Sequence, residues 1–196
     1  MAKIVPPMNF GLVEDGVYHK QPKLTAGYFR SAQPTELNFT FIEKLSLRSV
    51  IWVGAEEPSD VFVSFLESQG IVLHNLAPQV SLNPHFPPPY CDAGVVPLSG
   101  QYHLPPLPPP TEPLIIHALS LLLQPSTFPT LVCCNMGRHR TGTVIGCWRK
   151  LQRWALSSIL EEYRRYAGMK VRVLNEQFIE LFDTDLVSIN GDAIVV

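Results

Sequence analysis

A cysteine and an arginine six positions apart, Cys134 and Arg140, enclose the run Asn135-Met136-Gly137-Arg138-His139, and Thr141-Gly142 follows directly. A thiolate is a strong nucleophile, and a guanidinium presents a planar two-pronged donor to two phosphoryl oxygens, which a lysine cannot copy. Gly137 lets the chain turn with positive φ and lets backbone approach a ligand closely. Placed between an apolar strand and an apolar helix, such a run gathers N–H groups into one small volume at a helix N-terminus. There the macrodipole favours a bound phosphate, and a thiolate over a thiol. The expected anion-binding set is Asn135, Met136, Gly137, Arg138, His139 and Arg140, with Cys134 as nucleophile. Thr141, expected as the first helical residue, carries a hydroxyl that either caps the helix or stabilises the sulfur as a leaving group. The same spacing recurs at Cys147 and Arg153, but the intervening Trp148-Arg149-Lys150-Leu151-Gln152 contains no Gly and reads as helix interior.

The stretch from Val132 to Cys147, followed by Leu156-Ser157-Ser158-Ile159-Leu160-Glu161-Glu162-Tyr163-Arg164-Arg165-Tyr166, resembles the plant and fungal atypical dual-specificity phosphatases. Within that group it is most similar to the fungal tyrosine-phosphatase-type proteins named for oxidant-induced cell-cycle arrest. Two further segments carry the resemblance, Val5 to Tyr18 and Phe29-Arg30-Ser31-Ala32-Gln33-Pro34. The resemblance implies a cysteine-dependent phosphatase of tyrosine or dual-specificity type, acting on phosphoprotein, and some relatives hydrolyse inositol pyrophosphates. It calls for no metal and no cofactor. Those pyrophosphate-cleaving relatives tend to carry a basic residue where Met136 stands and a His where Cys133 stands. One cation fewer in the loop weakens recognition of a dense anion, although Arg138 remains.

A general acid for the leaving group is harder to find. Asp92, inside a Pro-rich stretch, and Glu112, at a helix start, are the two candidates. Each has a plain structural alternative, as a turn residue and as a dipole-favoured carboxylate respectively. Cys133 reads as a small buried side chain, with a redox role beside the reactive thiol as the alternative. His139 is expected to orient the loop through a hydrogen bond. The rival to an enzyme is a noncatalytic phosphate-binding scaffold in a complex of related paralogues. Intact Cys134, Arg140 and Thr141 count against it. An arsenate reductase or sulfurtransferase built on a similar loop ranks below both.

With 196 residues, 46% of them hydrophobic, the chain suits one globular domain, 1–196, with a core from about residue 5 to 186. It has no apolar run of membrane-spanning length and no secretory pattern at its start, so a cytoplasmic protein without a membrane span is expected. Four cysteines without Cys-x2-Cys spacing argue against a disulfide framework or structural zinc. The net charge of −2 hides an asymmetry: no Lys or Arg lies between Ser49 and Gly137, whereas Arg138, Arg140, Arg149, Lys150, Arg153, Arg164, Arg165, Lys170 and Arg172 crowd a short C-terminal stretch. A basic surface there would steer an anion to the loop, the alternative being solvated helix faces. Nucleic acid ranks low as a partner, because no reading motif accompanies these cations.

Val17–Tyr18 and Tyr28–Phe29 read as short strands, Pro34 to Leu45 as a helix, and Ser49 to Val53 as a buried strand. Pro58 to Gln69 reads as a helix stopped by Gly70, Ile71 to Leu76 as a strand, and Glu112 to Gln124 as a helix with Pro113 in its first turn. Thr130 to Cys133 is the strand that delivers the loop, and Thr143 to Trp154 the helix that leaves it. This alternation predicts a dual-specificity-phosphatase-like α/β fold, with a mostly parallel sheet of about four or five strands flanked by helices on both faces. The loop then sits at the carboxyl end of a strand, where such sheets bind ligands. Two stretches, His19 to Gly27 and the Pro-rich 77–110, interrupt the resemblance. The second reads as a lineage insertion, a substrate-covering flap, or a docking site for a proline-recognising partner. Gly191 to Val196 reads as a loose tail.

Overall fold

The computed structural model describes residues 4–15, 27–77 and 110–187. The expected strand at Val17–Tyr18, nearly all of both interruptions, Asp92 and the C-terminal tail lie outside them. A five-stranded sheet has the order β1-β2-β5-β3-β4. Its strands are β1 (Gly11–Asp15), β2 (Gly27–Ala32), β3 (Ser49–Trp52), β4 (Val72–Asn75) and β5 (Thr130–Cys134). Only the edge pair β1–β2 is antiparallel, and β5 lies in the middle, parallel to both β2 and β3. The mostly parallel sheet expected from the alternation is present. The strand at Gly11–Asp15 is additional, and its Leu12 to Glu14 bulge blurs the period-2 pattern that would have marked it.

Side chains on the central strands alternate strictly between two cores, as a sheet covered on both faces requires. Val50, Trp52, Leu131 and Cys133 join one core with Ile42 of α1 (Glu36–Lys44) and Phe62, Phe65 and Leu66 of α2 (Asp60–Ser68). Ile51, Val53, Val132 and Cys134 join the other, built on α3 (Glu112–Leu122) and α4 (His139–Leu151). Helices α5 (Leu156–Ala167) and α6 (Val173–Leu181) add Ile159, Tyr163 and Ile179 to that second core.

Local chemistry explains the boundaries. Helix α2 begins where the Ser59 hydroxyl accepts from the Phe62 N–H, and it ends at Gly70 with φ +65°. Helix α4 runs from His139 to Leu151 rather than from Thr143 to Trp154. Its first turn is already formed by the loop residues, and the chain leaves it through Arg153 at φ +62°. Every residue from Arg140 to Arg149 is buried, which makes α4 the central helix of its layer. No helix among the described residues is long and apolar enough to cross a membrane.

Candidate active site

The loop between β5 and α4 stands at the carboxyl edge of the sheet, in its centre. Because adjacent strand residues face opposite sides, Cys133 is wholly buried against α1 and α2, while Cys134 turns to the α4 side. Burial, with the Cys134 charge adding to it, pushes the Cys133 thiol well above the ordinary range, so Cys133 stays a neutral apolar side chain.

Three contacts shape the loop from outside. The Cys134 carbonyl accepts from the Gln33 N–H at 2.8 Å, the Met136 carbonyl from Asn9 Nδ2 at 2.8 Å, and the Gly137 carbonyl from Arg30 Nη2 at 3.1 Å. Turning the Cys134 and Gly137 carbonyls outward turns the N–H groups that share their peptide planes, those of Asn135 and Arg138, the other way. The Gly137 N–H, expected to face a phosphate, instead donates to the Cys134 carbonyl at 3.3 Å. Gly137 has φ +63°, and a Cβ there would lie 2.3 Å from the Ala32 nitrogen, so no other residue fits.

Thr141 is the third residue of α4 and does not cap it; its hydroxyl donates to the Cys134 sulfur at 3.1 Å. Of the two roles expected for it, the geometry fits the contact with sulfur. The first turn of α4 has no side-chain cap, which leaves its N–H groups available to an anion. Arg140 is buried to 6% exposure, yet none of its three guanidinium nitrogens bonds to a described residue. A buried, unpaired guanidinium is costly, and a bound anion is a partner able to offset that cost. Burial lowers the Arg140 pKa, the charge of Cys134 raises it, and Arg172 lowers it, so these three groups sense one another.

His139 binds the Lys170 carbonyl through Nε2 at 2.6 Å, with Nε2–H the donor. Burial lowers its pKa, with Arg172, Arg138 and Lys170 adding to the effect, which keeps the ring neutral. The segment 168–172 is thereby fastened to the loop and brings Lys170 and Arg172 beside it. The remaining C-terminal cations are mostly spent elsewhere. Arg149 pairs with Glu162 at 3.0 Å, Arg164 with Glu176 at 2.7 Å, and Lys150 with the carbonyls of Ile179 and Glu180. The charge asymmetry of the sequence thus resolves into a small basic rim and a larger set of interhelical ties.

Glu112 opens α3 and is exposed. The βαβ crossover puts that end of α3 on the loop's edge of the sheet, but Glu112 bonds to no described residue. Beyond Asn9 and Gln33, two charged residues not singled out from the sequence contact the loop. Glu56, just beyond β3, accepts from Asn135 Nδ2 at 3.4 Å, and Arg30 lies on β2. The rule that ligands gather at carboxyl ends of strands, applied to β3, points to Glu56. A lone cation inside a buried strand points to Arg30.

A thiol at the carboxyl end of a central parallel strand, a loop closed by a buried arginine, and a helix that starts inside the loop define a cysteine-dependent phosphatase. The profile of the tyrosine phosphatase family matches residues 4–195, and the chain belongs to that family. It is 49% identical over 185 residues to OCA1 of Mycosarcoma maydis, named as a tyrosine-protein phosphatase, covering 94% of this chain and 96% of that one. It is 46% identical to DG1060 of Dictyostelium discoideum, also named as a tyrosine-protein phosphatase, over 97% of this chain and 95% of the other. Among solved structures it resembles the catalytic core of SIW14 from S. cerevisiae, a PP-IP phosphatase. There the TM-score is 0.69 and the identity 33%, with 93% of this chain and 90% of that one covered. The protein is a phosphoric monoester hydrolase of tyrosine-phosphatase type.

Proposed function

We propose that Cys134, as thiolate, attacks phosphorus in line, forming an S–P bond as the bond to the leaving oxygen breaks. Water then attacks the phosphocysteine, the S–P bond breaks, and the sulfur leaves as thiolate beside the Thr141 hydroxyl. Arg140 and the N–H groups of the loop hold the equatorial oxygens, so catalysis is positioning and electrostatics. One observation carries this reading: the sulfur at the end of β5, and a threonine hydroxyl and a buried guanidinium unpartnered among the described residues in the first turn of α4, flank one loop.

Two substrate classes fit a cysteine phosphatase of this family, phosphotyrosine protein and inositol pyrophosphate. The rim of Arg138, Lys170 and Arg172 around the loop favours the more densely anionic one. SIW14 is itself a PP-IP phosphatase, which supports the same choice. A pyrophosphate leaving group also needs little protonation, so the reaction does not depend on an acid at Asp92 or Glu112. The test is phosphate release from 5-diphosphoinositol pentakisphosphate, phosphotyrosine peptide and a small aryl phosphate, with Cys134→Ser as control. Fastest turnover on the pyrophosphate, slower turnover of the aryl phosphate, and loss of both in the control are expected. Activity surviving Cys134→Ser refutes the mechanism, and activity on phosphotyrosine peptide alone refutes the substrate choice. A folded wild-type chain that binds phosphate and turns over none of the three supports the scaffold reading instead.

A further inference from the structure

We infer that Arg30 is a positioning residue of the phosphate loop, one that fixes the loop's turn and places a fixed positive charge behind the reactive sulfur. The inference rests on the thiolate mechanism above and names a part of it that lies two strands of sequence away. Arg30 sits on β2 opposite Val132 of β5, and at 1% exposure it is among the most completely buried large side chains of the described chain. An ion in that position persists only if it is paired.

Its contacts divide between two neighbours. Toward the loop, Nη2 donates to the Gly137 carbonyl at 3.1 Å, at the residue whose φ of +63° makes the turn. Toward α5, the guanidinium lies 3.6 Å from the centre of the Tyr166 ring, and Nη1 is 3.9 Å from Glu162 Oε1. Gly142 of α4 lies alongside, and a Cβ there would crowd Tyr163 at 2.9 Å while meeting Arg30 Nη2 in ordinary contact at 3.6 Å.

The pairing of Arg30 is incomplete. Glu162 is held more tightly by Arg149, at 3.0 Å, than by Arg30. Two guanidiniums therefore share one carboxylate, and the buried cluster keeps one net positive charge. Nε and Nη1 of Arg30 have no hydrogen-bond partner among the described residues. Burial lowers the Arg30 pKa to about 10, Tyr166, Glu162 and Cys134 offset part of the effect and Arg165 adds to it, so the guanidinium stays charged at neutral pH. Its β5 partner Val132 lies two residues before Cys134 and faces the same core, which places the cation and the sulfur on one side of the sheet. A buried cation on the sulfur's side of the sheet favours negative charge on that sulfur. Arg140 faces the substrate and moves its interaction to phosphate once substrate binds. Arg30, wholly inside, keeps its charge behind the sulfur through both steps, including the one in which sulfur leaves as an anion.

A purely structural tie between β2 and α5 would alter stability alone. The test therefore compares the full-length wild type with Arg30→Met and Arg30→Lys. It measures the pH dependence of iodoacetamide alkylation at Cys134, located by peptide fragmentation, and kcat on a small aryl phosphate. The expected result for Arg30→Met is a roughly tenfold slower alkylation at pH 6 and an upward shift of about one unit in the midpoint. Arg30→Lys, which keeps the cation but not the planar fork, is expected to restore the midpoint and to keep a kcat deficit. A folded Arg30→Met protein with the wild-type alkylation profile overturns the inference. Where Arg30→Met does not fold, Arg30→Lys decides. Wild-type kcat overturns the inference, and a fall of roughly fivefold or more at unaltered alkylation supports it. Cys134→Ser separates the two levels, because its retained turnover sinks the thiolate mechanism, whereas an unmoved Arg30→Met profile sinks only the role of Arg30.

Discussion

Cys133 and Cys134 are consecutive on β5 and belong to opposite cores, one packed under α1 and α2 and the other opening toward α4. Burial holds Cys133 protonated, so oxidant and alkylating reagents have one thiol to attack at this site rather than two. Cys133→Ala is expected to retain kcat within about twofold while losing roughly 1 kcal/mol of stability to the small cavity. Cys134→Ser is expected to lose turnover completely. A folded Cys133→Ala protein with kcat reduced tenfold would show that the neighbour takes part in the chemistry.

Gly137 packs its α-carbon against the backbone of Ser31 and Ala32, with a hypothetical Cβ 2.4 Å from the Ser31 carbonyl carbon. A methyl group must push the loop off β2, and positive φ adds backbone strain. Gly137→Ala is expected to lower stability by about 1–3 kcal/mol. Activity is expected to fall further than stability explains, by roughly tenfold or more, because the displaced loop no longer presents its N–H groups to one point. Thermal denaturation beside kcat reads both, and unchanged kcat in this variant would mean that the loop tolerates the shift.

Legibility in the sequence depended on whether a signal was local. Ser49–Trp52 and Thr130–Cys134 could be read because strands buried on both faces are continuous apolar runs. The loop could be read because its Gly, Arg and Thr sit at fixed offsets from Cys134. Arg30 could not, because its meaning lies in Gly137, Glu162 and Tyr166, residues more than a hundred positions away that only the β2–β5 pairing brings near. The helix start was misplaced for a related reason. Local pattern marks where apolar spacing begins, at Thr143, whereas the helix begins where the loop's backbone closes, at His139.

His139 supplies a pH prediction. Its folded pKa lies below the ordinary 6.5, chiefly because of burial, so the unfolded chain binds the proton more readily. The neutral ring thus contributes stability that is present above pH 6.5 and is lost as pH falls from there toward the lowered folded value. His139→Gln cannot titrate but can still donate to the Lys170 carbonyl, so its stability is expected to fall less than the wild type's across that window. Denaturant unfolding of both proteins between pH 5 and pH 8 checks it. Parallel curves would remove His139 from the account. Because the ring acts through a hydrogen bond, His139→Gln is also expected to keep more activity than His139→Ala.

In the mechanism proposed above, Thr141 separates the two halves of the reaction. Its hydroxyl touches the sulfur, at 3.1 Å, so it matters most when negative charge returns to sulfur as the phosphocysteine breaks down. Loss of one such hydrogen bond to a developing anion costs about 1.5–3 kcal/mol, which corresponds to a roughly ten- to hundredfold slower step. Thr141→Val keeps the shape and removes the donor. It is expected to leave the first phosphoryl transfer within a few-fold of wild type, to slow release of phosphate, and so to show a burst of leaving group followed by slow turnover. Rapid-quench kinetics with an aryl phosphate, and mass spectrometry of the quenched protein for a phosphate on Cys134, read the two steps separately. Equal slowing of both steps, without a burst or trapped phosphocysteine, would place the hydroxyl's role in the packing of α4 instead.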